Sequence, residues 1–296
     1  MVYKIGTRGS KLALAQAESV QKKLMKRFPE HDFELAIVKT AGDKFMDVSL
    51  KKIEAKGIFI REIEERLLDG TIDLAVHSMK DMPSELPEGL VLTRTWKRED
   101  PRDVLILRDR PSLAELPGGA VIGTGSLRRK YQLLRIRPDL RIVDIRGNVE
   151  TRIRKMEEQR LDGIVLAAAG LNRLNMKNRI TQYLNFDEMV PAPAQGAIAV
   201  EIAEHRKDVA VLLNEFGDET SMRAVAAERH FLALMGGGCH VPVGAVGIID
   251  GEEICLRVMY GEETGERLVF ADAVGKDSIA VAEEAAGKLR MQWQNQ

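Results

Sequence analysis

The chain has 296 residues, which predicts two or three domains at roughly 150 residues per domain. Apolar residues make up 45%, enough to bury cores, and 44 basic against 45 acidic side chains argue against a nucleic-acid binder that relies on bulk charge. No apolar run approaches the roughly 20 residues of a membrane span, and the amino end lacks a secretory signal. Two cysteines, Cys239 and Cys255, are too few for a disulfide framework. We therefore expect a cytoplasmic protein with reduced thiols and with no nucleic-acid or membrane partner.

The first part of the chain alternates between strand and helix patterns. Apolar residues spaced by three or four, from Ala13 to Phe28, predict a helix after the loop Thr7-Arg8-Gly9-Ser10. A second helix is predicted over 58–68, ended by Asp69-Gly70. Strands are predicted over 2–6, 33–39 and 71–76.

The same order of elements then recurs. Ile122-Gly123-Thr124 repeats Ile5-Gly6-Thr7, and Leu161-Asp162-Gly163 repeats Leu68-Asp69-Gly70 before a strand at 164–168. These repeats favour two similar α/β lobes, although strand–glycine–helix junctions are also common by chance in α/β proteins.

Breaks in the pattern suggest where the domains begin and end. A charged, proline-containing stretch at 98–103 predicts a crossing between lobes, and a second break at 191–196 precedes a strand that returns to the first lobe's sheet. We predict domain 1 over 1–97 and 197–217, and domain 2 over 98–196.

The remaining residues have a different pattern. A helix over 220–235 ends at three glycines, strands are predicted over 243–249, 253–260 and 266–271, and a last helix begins near Asp277 or Ser278. This predicts a small α+β domain 3 over 218–296. Residues 98–179 hold 18 basic and 11 acidic side chains, whereas 219–296 hold 7 and 12, so the middle lobe is the one that attracts anions.

The segment Gly123-Thr-Gly-Ser-Leu-Arg-Arg129 lies between a predicted strand and helix. Its backbone N–H groups and the positive helix end favour an anion, Ser126 can cap the helix, and Arg128 and Arg129 add forked donors suited to carboxylate or phosphate. An ordinary capped helix with solvated arginines is the alternative. Further arginines follow predicted strands at Arg8, Arg146, Arg152 and Arg173.

Three other residues are chemical candidates. Asp81 follows a buried strand beside Lys80 and could stabilise a cation or move a proton, although for the segment alone a turn aspartate before Pro83 is the favoured explanation. His77 is more typical of a hydrogen-bonded structural residue than of a base. Cys239, after the glycines, could act as a nucleophile or attachment point, or be a small buried residue. No metal site is predicted, because Cys239 and His240 have unsuitable spacing for ligands.

Taken together, eight motifs in register resemble the porphobilinogen deaminase (hydroxymethylbilane synthase) family over nearly the whole chain. They are Thr7-Arg-Gly-Ser-Lys-Leu-Ala-Leu14, Lys56-Gly-Ile-Phe59, His77-Ser-Met-Lys-Asp81, Arg98-Glu-Asp-Pro-Arg-Asp103, Gly123-Thr-Gly-Ser-Leu-Arg-Arg129, Arg146-Gly-Asn148, Pro193-Ala-Gln-Gly196 and Gly237-Gly-Cys-His-Val-Pro242. At Gly125 the chain departs from the serine that is common in the family.

The resemblance implies a fold and an activity. The fold is two periplasmic-binding-protein-like α/β lobes with mixed sheets and a smaller C-terminal α+β domain with a three-stranded antiparallel sheet. The activity is a transferase reaction of haem biosynthesis, in which four porphobilinogen units condense head to tail with release of ammonia to give hydroxymethylbilane. The cofactor is a dipyrromethane joined by a thioether to a cysteine, here Cys239, and a monomer without an obligate protein partner is expected.

The resemblance also assigns roles to residues. Asp81 is the catalytic carboxylate. The cofactor-binding residues are Ser78, Lys80, Asp81, Thr124, Ser126, Arg128, Arg129, Arg146, Gly196 and Cys239. The substrate-binding residues are Arg8, Ser10, Lys56, Arg146, Arg152 and Arg173. The alternative from another class is a non-catalytic two-lobed receptor for a small anion, in which arginines at strand ends are equally expected.

Overall fold

The computed structural model describes residues 1–40, 60–236 and 241–295. The chain forms two compact units, Met1–Arg98 with Ala197–Met222, and Glu99–Gly196 with Arg223–Gln296. The predicted division into three domains stays a prediction.

The first unit contains a five-stranded mixed sheet in the order β2-β1-β3-β10-β4. β1 is parallel to β2 and β3, whereas β10 is antiparallel to β3 and β4. Its strands are β1 (Val2–Arg8), β2 (Asp32–Val38), β3 (Leu74–Ser78), β4 (Leu90–Leu92) and β10 (Ile198–Ala203), and its helices are α1 (Lys11–Arg27), α2 (Arg61–Leu68) and α6 (Lys207–Asn214).

Helices cover this sheet through the apolar stripes that the sequence predicts. In α1, Ala17, Val20 and Leu24 are buried, and they pack with Leu74 and Val76 of β3. On α2, Ile63 and Leu67 pack in a separate cluster that includes Ala75. Because side chains alternate along a strand, α1 and α2 therefore lie on opposite faces of β3.

The second unit contains another five-stranded mixed sheet, in the order β7-β6-β8-β5-β9. β6 is parallel to β7 and β8, and β5 is antiparallel to β8 and β9. Its strands are β5 (Asp103–Leu107), β6 (Val121–Gly123), β7 (Arg141–Val143), β8 (Gly163–Ala167) and β9 (Gln182–Tyr183), and its helices are α3 (Leu127–Ile136), α4 (Val149–Glu158) and α5 (Ala168–Arg173).

The two sheets have the same topology. In each, one strand (β1 or β6) lies between a parallel edge strand (β2 or β7) and a second parallel strand (β3 or β8), and an antiparallel strand (β10 or β5) follows. The predicted pair of similar α/β lobes with mixed sheets is therefore confirmed, as is the predicted return of the chain to the first sheet after residue 196.

A third, antiparallel sheet in the second unit has the order β11-β12-β13. Its elements are α7 (Glu219–Leu234), β11 (Val243–Asp250), β12 (Glu253–Gly261), β13 (Leu268–Gly275) and α8 (Ser278–Gln294). Phe231 of α7 and Leu289 of α8 share its core, and Asp277 caps α8. The predicted C-terminal α+β region is confirmed, and its last helix begins at Ser278, within the predicted limits. No helix in the described ranges is long and apolar enough to span a membrane.

Candidate active site

In the first unit, the predicted site residues gather at the carboxyl edge of the sheet. Arg8 ends β1 and Ser78 ends β3, and the two strands are parallel, so their ends lie at the same edge. Ser10 caps α1, because its Oγ accepts a hydrogen bond from the backbone N–H of Ala13 at 3.3 Å. The first lobe thus places a guanidinium and a helix N-terminus at this edge.

Asp81 follows β3 in a short 3₁₀ turn, Met79–Asp81. The turn is attached to the sheet, since Met79 N–H donates to the Ala197 carbonyl at 3.0 Å. Gln16 of α1 donates to Ser78 Oγ at 2.9 Å, which holds the residue before the turn. Lys80 is half-buried and Asp81 is exposed. A rigid strand end therefore presents one carboxylate to solvent.

The second unit repeats the helix cap at the equivalent strand. After β6, Thr124 Oγ1 accepts from Ser126 N–H at 3.2 Å, and Ser126 Oγ accepts from Arg129 N–H at 3.4 Å. The predicted cap by Ser126 is confirmed. Gly125 allows Asp144 to approach, because a Cβ there would lie 2.6 Å from Asp144 Oδ1.

Arg128 and Arg129 are buried side by side in the first turn of α3 and bind one carboxylate, Asp103 at the start of β5. Arg128 Nη1 lies 2.6 Å from Asp103 Oδ2 and 2.7 Å from the Val190 carbonyl. Arg129 donates to Asp103 Oδ1 at 2.7 Å and to the Val165 carbonyl at 3.1 Å. The two guanidinium groups therefore donate hydrogen bonds in the interior of the protein, and they are not the solvated side chains of the alternative interpretation.

The charges of this cluster do not cancel. Burial by itself would raise the pKa of the Asp103 carboxyl, but the charges of Arg128 and Arg129 outweigh it and hold that pKa well below its ordinary value. Burial lowers the pKa of Arg128, while Asp103 opposes this effect. Two guanidinium groups against one carboxylate leave an excess positive charge at the end of β6, which favours an anionic ligand.

The turn before β10 completes the cluster. Gln195 is buried and donates to Asp103 Oδ1 at 2.9 Å and to the Pro101 carbonyl at 2.8 Å. Gly196 has φ +89, and a Cβ there would meet the Glu99 carbonyl oxygen at 2.4 Å. Its own carbonyl accepts from Arg173 Nη2 at 2.6 Å. Burial lowers the pKa of Arg173, partly offset by the charge of Glu99.

Two other arginines predicted at the site, Arg146 and Arg152, are less buried than Arg128 and Arg129. Arg146, after β7, donates from Nε to Asp144 at 2.8 Å, and Arg152 of α4 donates to the Gly147 carbonyl at 2.7 Å. Both are half-buried, and Asp144 is exposed. The carboxyl edge of the second sheet thus carries Arg146 and Arg173 at the ends of β7 and α5, together with the Arg128–Arg129 cluster.

Sequence reasoning missed Asp103 and Gln195 as site residues. Both lie within motifs of the family resemblance, at 98–103 and 193–196, but the sequence assigns neither of them a role at the site. A usable signal was present, because Asp103 begins a strand whose five residues are all buried, and a carboxylate in that position needs a cationic partner.

Lys56 and Cys239 lie outside the described residues. Cys255 is half-buried in β12. Within the described ranges, no group of three or more His, Cys, Asp or Glu side chains is arranged to hold a metal ion.

These features define a class: an α/β protein with two similar mixed sheets whose carboxyl edges carry arginines and capped helices suited to carboxylate ligands. The chain matches the family model described as porphobilinogen deaminase, dipyromethane cofactor binding domain, over residues 3–211, and the model of the C-terminal domain of that enzyme over 222–293. The chain belongs to the porphobilinogen deaminase family. It is thus a transferase of tetrapyrrole biosynthesis with a dipyrromethane-binding domain, and this identification does not support the receptor alternative.

Two relatives named porphobilinogen deaminase align with most or nearly all of the chain. A porphobilinogen deaminase of Lachnospira eligens is 52% identical over 99% of this chain and 100% of that protein. A second, from Clostridioides difficile, is 52% identical over 92% of this chain and 90% of that protein.

Two of the solved structures that are similar to this chain are a periplasmic domain and a binding protein. The VFT2 domain of Bordetella pertussis BvgS has a TM-score of 0.44 at 17% identity, covering 72% of this chain and 86% of that one. The methionine-binding protein MetQ has a TM-score of 0.44 at 14% identity, covering 80% and 96%. The fold assignment rests on the sheet order described above.

The residues present fit a dipyrromethane. Such a group carries several carboxylates, and the buried excess positive charge of Arg128 and Arg129 over Asp103 is suited to an anion of this kind. The capped N-terminus of α3 adds N–H donors at the same place.

Proposed function

We propose that this chain condenses four porphobilinogen units head to tail into hydroxymethylbilane, with release of ammonia, starting from a dipyrromethane attached to the Cys239 sulfur. When bound, that group supplies the covalent primer to which the first substrate ring is joined. Family membership supports the reaction class. The assignment of residues is the part that experiment has to decide.

One observation carries the proposal: two buried arginines share a single aspartate at the end of a strand. Burying a guanidinium without a partner is costly, so the excess charge of this cluster favours an anion that binds there. Each porphobilinogen ring carries an acetate and a propionate, which a forked guanidinium binds through two hydrogen bonds. The cluster therefore suits a ligand with carboxylates on every ring.

Asp81 is proposed as the catalytic carboxylate. Its exposed position at the end of β3 leaves its oxygens accessible to pyrrole N–H groups. An ionised carboxylate there stabilises the cation that remains on the substrate when ammonia leaves. It also accepts the proton released when the new carbon–carbon bond forms.

The remaining residues are assigned to binding. Arg146 has an exposed counter-ion, Asp144, and exchanging that partner for a substrate carboxylate costs little. Arg173 is anchored by one nitrogen to the Gly196 carbonyl, so its other donors remain for a ligand. The proposed cofactor contacts are Ser78, Lys80, Thr124, Ser126, Arg128, Arg129, Arg146 and Gly196, and the proposed substrate contacts are Arg8, Ser10, Lys56, Arg146, Arg152 and Arg173.

We further propose that the enzyme acts in the cytoplasm as a monomer without an obligate protein partner, and that its cofactor-bearing region, 218–296, is a third domain beside 1–97 with 197–217 and 98–196. Family resemblance supports these assignments.

The decisive experiment is an intact mass under denaturing conditions with peptide mapping, alongside an ammonia assay with porphobilinogen. We expect an added mass of two pyrrole units on the peptide that contains Cys239, and ammonia release. Cys239→Ser abolishes both, and Cys255→Ser, the matched control on the other cysteine of the chain, keeps both. Ammonia release by Cys239→Ser would contradict the attachment site.

The receptor alternative makes the opposite prediction. A non-catalytic receptor binds porphobilinogen without releasing ammonia and acquires no adduct on incubation. A wild-type chain that behaves in this way would overturn the proposed function.

A further inference from the structure

A histidine–glutamate pair with no part in the proposed chemistry lies buried in the first unit. His77 on β3 and Glu201 on β10 have side chains that are 5% and 0% exposed, and His77 Nε2 lies 3.2 Å from Glu201 Oε2. Neither that nitrogen nor either Glu201 oxygen has a partner with hydrogen-bond geometry in the described part of the chain. The close approach of Nε2 to Oε2 is therefore the contact that joins the two side chains.

The strand register shows which face the pair occupies. Ala199 is opposite His77, and Glu201 is opposite Ala75, so the two side chains are diagonal neighbours on one face of the sheet. Ala75, on that face, packs against α2. Ser78 points to the other face, where Gln16 of α1 binds it. The last two residues of β3 are thus held by polar contacts from opposite sides.

A third titratable group faces the pair from α2. Burial raises the pKa of Glu64, the charge of Glu201 raises it further, and the charge of His77 opposes both. Glu64 thus lies within electrostatic range of both His77 and Glu201.

Stability is a poor explanation for such a pair. Removing charged groups from water is expensive, and packed apolar side chains of similar volume often replace a buried ion pair without loss of stability. A role in orienting the carboxyl end of β3 explains the presence of the pair better. His77 is also the residue directly before Ser78, from which the chain continues into the turn that carries Lys80 and Asp81.

We propose that Glu201, acting through His77, is a positioning residue for the reaction. The pair holds the carboxyl end of β3 from the face of α2 while Gln16 holds it from the face of α1, and together they set the direction in which Asp81 leaves the sheet. This inference rests on the proposed function, since it assumes that Asp81 acts on the substrate.

The test uses an apolar replacement of the pair and a single carboxylate-to-amide variant in the full-length enzyme. His77→Leu with Glu201→Met keeps the volume and removes both polar groups, and Glu201→Gln replaces the carboxylate alone. We expect the double variant to keep its Tm within a few degrees and its KM within about twofold. Its kcat should fall between about tenfold and a hundredfold, as expected for a displaced catalytic group.

The matched control breaks an ion pair at the other end of the same strand. Asp73, directly before β3, pairs with Arg206 and accepts from Lys4 N–H at 2.7 Å. Asp73→Asn should lower the Tm and leave kcat unchanged, because it is remote from the end that carries Asp81.

The possible outcomes distinguish a failure of the proposed function from a failure of the positioning role. A wild-type chain that releases no ammonia overturns the proposed function. An active wild type together with a folded double variant that keeps full kcat overturns the positioning role alone. If circular dichroism shows that the double variant does not fold, Glu201→Gln decides: unchanged kcat below its Tm rejects the inference, and reduced kcat at unchanged KM supports it.

Discussion

Arg128 and Asp103 form a buried ion pair in which the guanidinium Nη1 lies 2.6 Å from the carboxylate Oδ2. Arg129 binds the other oxygen of the same carboxylate at 2.7 Å. One aspartate on β5 thus orients two arginines that open a helix, and we expect it to contribute to the stability of the second lobe.

Asp103→Asn should destabilise the protein by about 3–5 kcal/mol, because it leaves two buried guanidinium groups without their counter-ion. Chemical denaturation of wild type and variant measures the change. Glu252→Gln is the control, since it breaks the exposed Lys276–Glu252 pair at the surface and should produce no measurable loss. Equal stability of Asp103→Asn and wild type would refute the structural role of Asp103.

Acid should weaken the same cluster. The folded-state pKa of Asp103 lies below its unfolded value, so its contribution to stability is present above the ordinary aspartate pKa of about 4 and is lost as pH falls towards the folded value. Denaturation curves between pH 7 and pH 3 should show a decline in stability for wild type that is smaller in Asp103→Asn. Parallel pH dependences would contradict this assignment.

The Glu64 carboxyl should make the stability of the protein depend on pH in the opposite direction. Burial raises the folded-state pKa of Glu64, so the stability linked to its protonated form is fully present below the unfolded pKa and is lost as pH rises through the folded value. Glutamine mimics the protonated form. The Tm of Glu64→Gln should therefore exceed that of wild type at pH 7, and the two should converge below about pH 4. A lower Tm at pH 7 would show that the charge of Glu64 is stabilising.

Gly196→Ala should be destabilising by about 1–3 kcal/mol, since its positive φ is strained for alanine and the Cβ would press on the Glu99 carbonyl. Gly119→Ala separates these two causes, because Gly119 has φ +75 and nothing within 4 Å of its Cβ position. We expect the larger loss at Gly196, measured by thermal denaturation. Equal losses would mean that the backbone angle alone is responsible.

Asp81→Asn should reduce kcat by about a hundredfold to ten-thousandfold, the range for loss of a proton-transferring group. The Tm should not change, because Asp81 is exposed. Steady-state ammonia release and a thermal melt give both quantities. Full turnover by this variant would remove Asp81 from the mechanism.

Local patterns in the sequence were sufficient for much of the fold. The spacing of Ala17, Val20 and Leu24 by three or four residues predicts the buried face of α1, and the hydroxyl of Ser126 predicts the cap of α3. These signals succeed because a helix and its cap depend on residues only three or four apart. The sequence defines the limits of strands less well. The pattern predicts β3 over 71–76, whereas the strand lies at Leu74–Ser78. The difference arises because a short apolar run does not show where pairing with the neighbouring strands begins and ends.

By itself, the sequence determined the alternation of strands and helices, the repetition of the two lobes, the family and the identity of the candidate residues. Only the tertiary structure decided that Arg128 and Arg129 are buried on Asp103, that Gln195 joins them, and that Glu201 faces His77. Each of these contacts depends on an antiparallel strand, β5 or β10, inserted into its sheet from a distant part of the chain. Periodicity records which face of an element is buried, but the partner across the sheet is set by strand order and register, which no local spacing contains.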